Sequence, residues 1–190
     1  MNGDILKQDI FSNKDIRQDL EIEMFLKYYN EHYKSNYIVF QKRDKPDYFI
    51  KDSLGNILGI ELSSVYKDDK VVGTEHKPNH VGNGLLEIPW DSNTHQEVRN
   101  HYFKRIFDKI NSKRAKVRLG EYDMTHPIIL SLYLNDYYLI HIDESEWRTF
   151  VDINNAYFFK IKEFKEIFLI GIRSIDYLVI ACGGGTLTQK

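Results

Sequence analysis

The feature that most constrains this chain is a pair of acidic residues on what reads as the two arms of one hairpin. Lys45-Pro46-Asp47-Tyr48-Phe49-Ile50 is followed by Asp52-Ser53-Leu54-Gly55-Asn56, and then by Ile57-Leu58-Gly59-Ile60-Glu61-Leu62-Ser63. Two short apolar runs around an Asp/Ser/Gly/Asn cluster predict paired strands at 47–51 and 57–65. Strands joined by such a turn lie about 4.8 Å apart, so Asp47 and Glu61 can present their carboxylates to one divalent cation.

The rest of the chain reads as a single α/β domain. Its 190 residues, 42% hydrophobic with 13 Tyr and 11 Phe, suffice for one sizeable core. A helix is expected over Asp15–Lys34, where Ile16, Leu20, Met24 and Tyr28 recur at four-residue spacing and Ile22 and Leu26 widen the apolar arc. A strand follows at Tyr37–Gln41, ahead of the two hairpin strands. Tyr66–Ser92 carries Gly73, Pro78, Gly82, Gly84 and Pro89 without periodicity and reads as a long loop. A second, long helix is expected from Asn93 or Thr94 to Arg114, with Thr94 and Glu97 forming a capping box and Val98, Tyr102, Ile106 and Ile110 as its buried face. Beyond it come a strand at Pro127–Leu134, a short helix from Glu144 to about Tyr157, strands at Glu166–Ile172 and Ile175–Cys182, and a frayed tail from Gly183.

This order, helix, three strands, helix, strand, together with Pro46-Asp47 and Glu61 on its second and third strands, resembles the PD-(D/E)xK nuclease superfamily. The resemblance covers roughly residues 15–135 and implies a restriction-endonuclease-like αβββαβ core. That core is a mixed central sheet flanked by helices, with residues 136–182 adding a C-terminal helix and strands. It also implies a metal-dependent nuclease that hydrolyses phosphodiester bonds with Mg²⁺, or Mn²⁺ as substitute, held by Asp47 and Glu61. Families of this type often add a carboxylate from the first helix, for which Glu23, inside the expected apolar arc, is the candidate and Glu21 lies at the margin. The family's motif lysine is replaced here by Ser63, which is read as a strand hydroxyl or water-orienting group. In relatives whose lysine has moved, it projects from the helix after the third strand. Lys104, Lys109 and Lys113 stand there, with Lys109 the choice because it sits beside Ile106 and Ile110 where the helix meets its sheet.

Arg105, Lys109, Lys113 and Lys116 form a stripe about 16 Å long on that helix. Such a row is either an ordinary solvated face or a set of contacts to a nucleic-acid backbone. A net charge of −2 gives no global attraction to nucleic acid, so the stripe would have to act locally. Three functions stay open: a nuclease acting on DNA ahead of RNA, an inactive nuclease-fold binding module, and a protein-interaction or accessory subunit, with a homodimer compatible with each. The single cysteine, Cys182, excludes an intramolecular disulfide and a cysteine-rich zinc site, and its apolar run predicts a buried strand residue. His76 and His80 flank Pro78, which breaks helical ligand spacing, and Gly82-Asn83-Gly84 lacks the flanking strand and helix of a phosphate loop. No run of about 18 apolar residues is present, and the start Met1-Asn2-Gly3-Asp4 lacks a basic region followed by an apolar stretch. A cytoplasmic protein with no membrane partner is therefore expected.

Overall fold

The computed structural model describes residues 14–65, 92–134, 142–171 and 176–183. Along the chain these form α1 (Lys14–Tyr33), β1 (Ile38–Lys42), β2 (Tyr48–Lys51), β3 (Ile57–Val65), α2 (Ser92–Arg118) and β4 (Ile128–Leu134), then α3 (Glu144–Ile153), α4 (Asn155–Phe159), β5 (Glu166–Ile170) and β6 (Tyr177–Ala181). Of the loop expected at 66–92, Ser92 already belongs to α2, and the rest, with His76, His80 and Gly82-Asn83-Gly84, lies outside the described residues, as do the side chains of Thr94, His95 and Val98. Among the described residues no helix is long and apolar enough to cross a membrane.

The strands form one mixed six-stranded sheet in sequential order, β1-β2-β3-β4-β5-β6. β1–β2, β2–β3 and β5–β6 are antiparallel, whereas β3–β4 and β4–β5 are parallel. The parallel β3–β4 step requires a crossover connection, and α2 lies within it. Ile128-Ile129-Leu130 of β4 and Ile167-Phe168-Leu169 of β5 are buried without alternation, because helices cover both faces of the sheet at its centre.

One core forms where Tyr102, Ile106 and Ile110 of α2 and Trp147, Phe150 and Phe158 of α3 and α4 meet Leu130, Leu132, Ile167 and Leu169. The opposite core joins α1 to β2, β3, β4 and β5 through Ile22, Phe25 and Tyr29 against Ile50, Ile60, Ile129 and Phe168. Phe25 stacks on Tyr29 with centroids 5.2 Å apart and meets the edge of Phe168 at 5.3 Å. The inward face of α1 thus differs from the expected one: Ile16 and Leu20 are exposed, at 38% and 44%. Aromatic packing on Phe168 rotates the helix so that Gln18, Glu21, Ile22, Phe25 and Tyr29, an i, i+3, i+4, i+7, i+11 row, face the sheet.

The hairpin has the predicted turn. Asp52 Oδ1 accepts from the amides of Leu54 at 2.9 Å and Asn56 at 2.8 Å, and Gly55 takes φ 91°, a left-handed conformation natural to glycine. The single helix expected at 144–157 is divided in two. Asn154 directs Nδ2 back to the Phe150 carbonyl at 2.7 Å and restarts the chain in α4.

Candidate active site

β2 has four residues and β3 has nine, so β3 outruns its antiparallel neighbour. Tyr48 pairs with Ile60 and Phe49 with Gly59, and continuing this register by one position sets Asp47 opposite Glu61. The strand β2 ends there, and the Asp47 side chain continues the hydrogen bonding in its place: the Leu62 amide donates to Asp47 Oδ2 at 2.8 Å. From α1, Gln18 Nε2 donates to Asp47 Oδ1 at 3.1 Å. Asp47 is therefore oriented by a backbone amide and by a helix side chain together.

The segment leading into Asp47 is held on several sides. Pro46 packs on Gly59, where a Cβ would come within 2.8 Å of the proline Cγ and 3.2 Å of Ile128, so any larger residue would push Pro46 away. The Arg43 amide donates to the Asp47 carbonyl at 2.7 Å and the Asp123 amide to the Lys45 carbonyl at 3.1 Å. Ion pairs Arg43–Asp123 at 3.1 Å and Lys45–Glu121 at 2.7 Å join the same segment to the connection between α2 and β4. Both are partly solvated, so they guide this loop more than they stabilise the fold.

Glu61 is 3% exposed, and its Oε1 receives the Lys113 ammonium from α2. The two side chains are 4% and 16% exposed respectively, which makes this an ion pair largely removed from water. Glu61 Oε2 is buried and has no hydrogen-bond partner among the described residues. Tyr122, just beyond α2, is buried as well. Burial holds its hydroxyl protonated far above the ordinary tyrosine range, with the charge of Glu61, a hydrogen bond to it and the charge of Asp47 acting in the same direction.

The expected site residues divide accordingly. Asp47 and Glu61 are adjacent across the hairpin, and Ser63 shares the face of Glu61 by strand alternation, half-buried and in register with Leu132. Glu23 is exposed, pointing away from the sheet; the rotation of α1 instead buries Glu21 at 6%, where Ser64 Oγ donates to Oε1 at 2.8 Å. Burial raises the Glu21 pKa, opposed by that hydrogen bond and by the charge of Arg17. The cation on Glu61 is Lys113 and not Lys109, because Lys113 lies one turn further along α2, level with the middle of β3. The stripe is consequently not one surface row: Lys113 turns inward, while Arg105, Lys109 and Lys116 remain half-buried along the helix. Cys182 is buried, and burial raises its thiol pKa to about 12. Gln18 and Tyr122 were not expected from the sequence, where neither belongs to a recognisable motif.

Among the described residues no three acidic, histidine or cysteine side chains converge as a metal-binding group. Two carboxylates alone still suit Mg²⁺, which retains several waters and is often held by one or two carboxylates plus substrate phosphates. Glu61 Oε2, without a partner among the described residues, offers lone pairs for such an ion, and a carboxylate oxygen such as those of Asp47 can accept more than one contact. Compared with known protein families, curated proteins and solved structures, the chain matches none.

Proposed function

We propose that this protein is a metal-dependent phosphodiesterase of the restriction-endonuclease-like PD-(D/E)xK type, acting on nucleic acid, with DNA the first substrate to test and RNA the second. The observation that carries this reading is the Asp47–Glu61 pair with the Lys113 ammonium on Glu61, reached from the helix after the third strand. Asp47 and Glu61 would hold Mg²⁺ or Mn²⁺, which when bound acidifies a water and offsets charge developing on phosphate.

The chain's own residues do the positioning. Gln18 and the Leu62 amide fix the rotamer of Asp47, and Lys113 holds one oxygen of Glu61 in the metal-free protein. Lys113 takes the part that Ser63 cannot, holding a positive charge and proton donors beside the reacting phosphate. Arg105 and Lys109, on preceding turns of α2, extend positive charge along the helix toward a phosphate backbone. Ser63 offers a hydroxyl on the same face as Glu61.

A second reading has its own support: Lys113 neutralises Glu61 internally, as in a structural ion pair, which suits an inactive nuclease-fold binding module. The two separate by incubating the purified protein with DNA and RNA in Mg²⁺, in Mn²⁺ and in chelator. Metal-dependent cleavage, lost in Asp47→Ala and in Glu61→Ala, supports the enzyme. Nucleic-acid binding without cleavage supports the module.

A further inference from the structure

Lys113 occupies the carboxylate that a metal ion would need. Its ammonium rests on Glu61 Oε1, and Oε2 of the same group has no partner among the described residues. Asp47 lies opposite Glu61 with both oxygens already oriented by Gln18 and the Leu62 amide. A divalent ion shared by the two carboxylates would therefore sit close to a like-charged ammonium in a poorly solvated space, where repulsion is strong. The carboxylates are on strand backbone and are held; the lysine is on a flexible four-carbon stem and can move.

We infer that Lys113 is an internal counter-ion of Glu61 that a divalent cation displaces, and that the displaced ammonium is thereby released to the anionic group of the substrate. This rests on the metal-dependent reading above. It makes metal and phosphate binding mutually supportive through one side chain: the ion frees the lysine, and the phosphate gives the freed lysine a new partner. It also makes a residue that assists the reaction one that weakens metal binding.

Two measurements on the full chain test it. Calorimetric titration with Mn²⁺ should show Lys113→Met binding at least about tenfold more tightly than wild type, the lower end of what close charge pairs contribute. Glu61→Gln should lose binding. Acetylation of wild-type lysines by acetic anhydride, followed by mass spectrometry with and without saturating Mg²⁺, should show labelling of Lys113 rising with metal while that of exposed Lys104 stays constant. Equal or weaker Mn²⁺ affinity in Lys113→Met, with binding lost in Glu61→Gln, would overturn the counter-ion role and leave the metal site standing. Unaltered Lys113 labelling at saturating Mg²⁺ would overturn it without any variant, should Lys113→Met fail to fold. Absence of Mn²⁺ binding in wild type and Lys113→Met alike, or binding unchanged in Glu61→Gln, would remove the metal-dependent reading and this inference with it.

Discussion

The amide of Leu62 donates to Asp47 Oδ2 at 2.8 Å, so the carboxylate of Asp47 takes the place that the next residue of β2 would have filled in the ladder. One side chain thus terminates a strand at the position that the continued register sets opposite Glu61. Asp47→Ala should cost about 1–3 kcal/mol by leaving this partly buried amide unsatisfied. Asp47→Asn, whose carbonyl can accept from Leu62 and whose amide can pair with a rotated Gln18, should cost less than about 1 kcal/mol. Urea unfolding of the three proteins checks both values, and equal losses in the two variants would contradict this role.

Removing either partner of the Lys113–Glu61 pair leaves the other poorly solvated and uncompensated. Lys113→Met and Glu61→Gln should each destabilise the metal-free protein by about 3 kcal/mol, and the double variant by less than their sum. A double-mutant cycle in denaturant and chelator measures the coupling. Strict additivity would show that the two groups do not interact in solution.

Glu21 gives a pH dependence of known sign. Its folded pKa is raised, chiefly by burial, above the ordinary glutamate value of 4.5, so the folded state holds the proton more tightly than the unfolded one. The stability this contributes is present below about pH 4.5 and is lost as pH rises through the folded value. Glu21→Gln retains an acceptor for Ser64 and should flatten this decline, making the variant relatively more stable at pH 7 than at pH 4. Unfolding curves at the two pH values, showing the same difference between variant and wild type at both, would contradict the assignment.

The orientation of α1 can be read from two truncations. Phe25→Ala should cost about 3–5 kcal/mol, since Phe25 is 0% exposed between Tyr29 and Phe168, whereas Leu20→Ala, at 44% exposure, should cost less than about 1 kcal/mol. Comparable losses in thermal or chemical unfolding would restore the face expected from four-residue spacing.

Charge reversal of Arg105 and Lys109 addresses the α2 stripe without touching the carboxylate pair. Each lost phosphate contact should lower the slope of log K against log salt by about 0.9 on duplex DNA. Fluorescence anisotropy across a salt series measures it. A slope unchanged in the double variant would return those two residues to ordinary helix surface.

The hairpin was legible because its signals are local: an Asx turn at Asp52, a left-handed Gly55, and an apolar run on either side of the turn. The strands β4 and β5 were equally legible as apolar runs, interrupted in β4 by Ser131 and opened in β5 by Glu166. The face of α1 was not, because two apolar rows run along it and the choice between them depends on Phe168, far away in sequence. That same rotation exchanged Glu23 for Glu21. Lys113 over Lys109 likewise depends on where α2 lies along β3, a tertiary distance that helical periodicity does not encode. Gln18 and Tyr122 acquire meaning only from the groups they reach, Asp47 and Glu61.

The most direct test of the Asp47–Glu61–Lys113 centre is the single-turnover cleavage rate of Asp47→Asn beside wild type, on labelled duplex and single-stranded DNA in saturating Mg²⁺. This substitution preserves the strand-end hydrogen bonds and removes only the charge that would hold the ion. The account predicts metal-dependent cleavage by wild type and a rate at least about 10³-fold lower in Asp47→Asn, with melting temperature nearly unchanged. A wild-type cleavage activity that Asp47→Asn retains within a few-fold would contradict it.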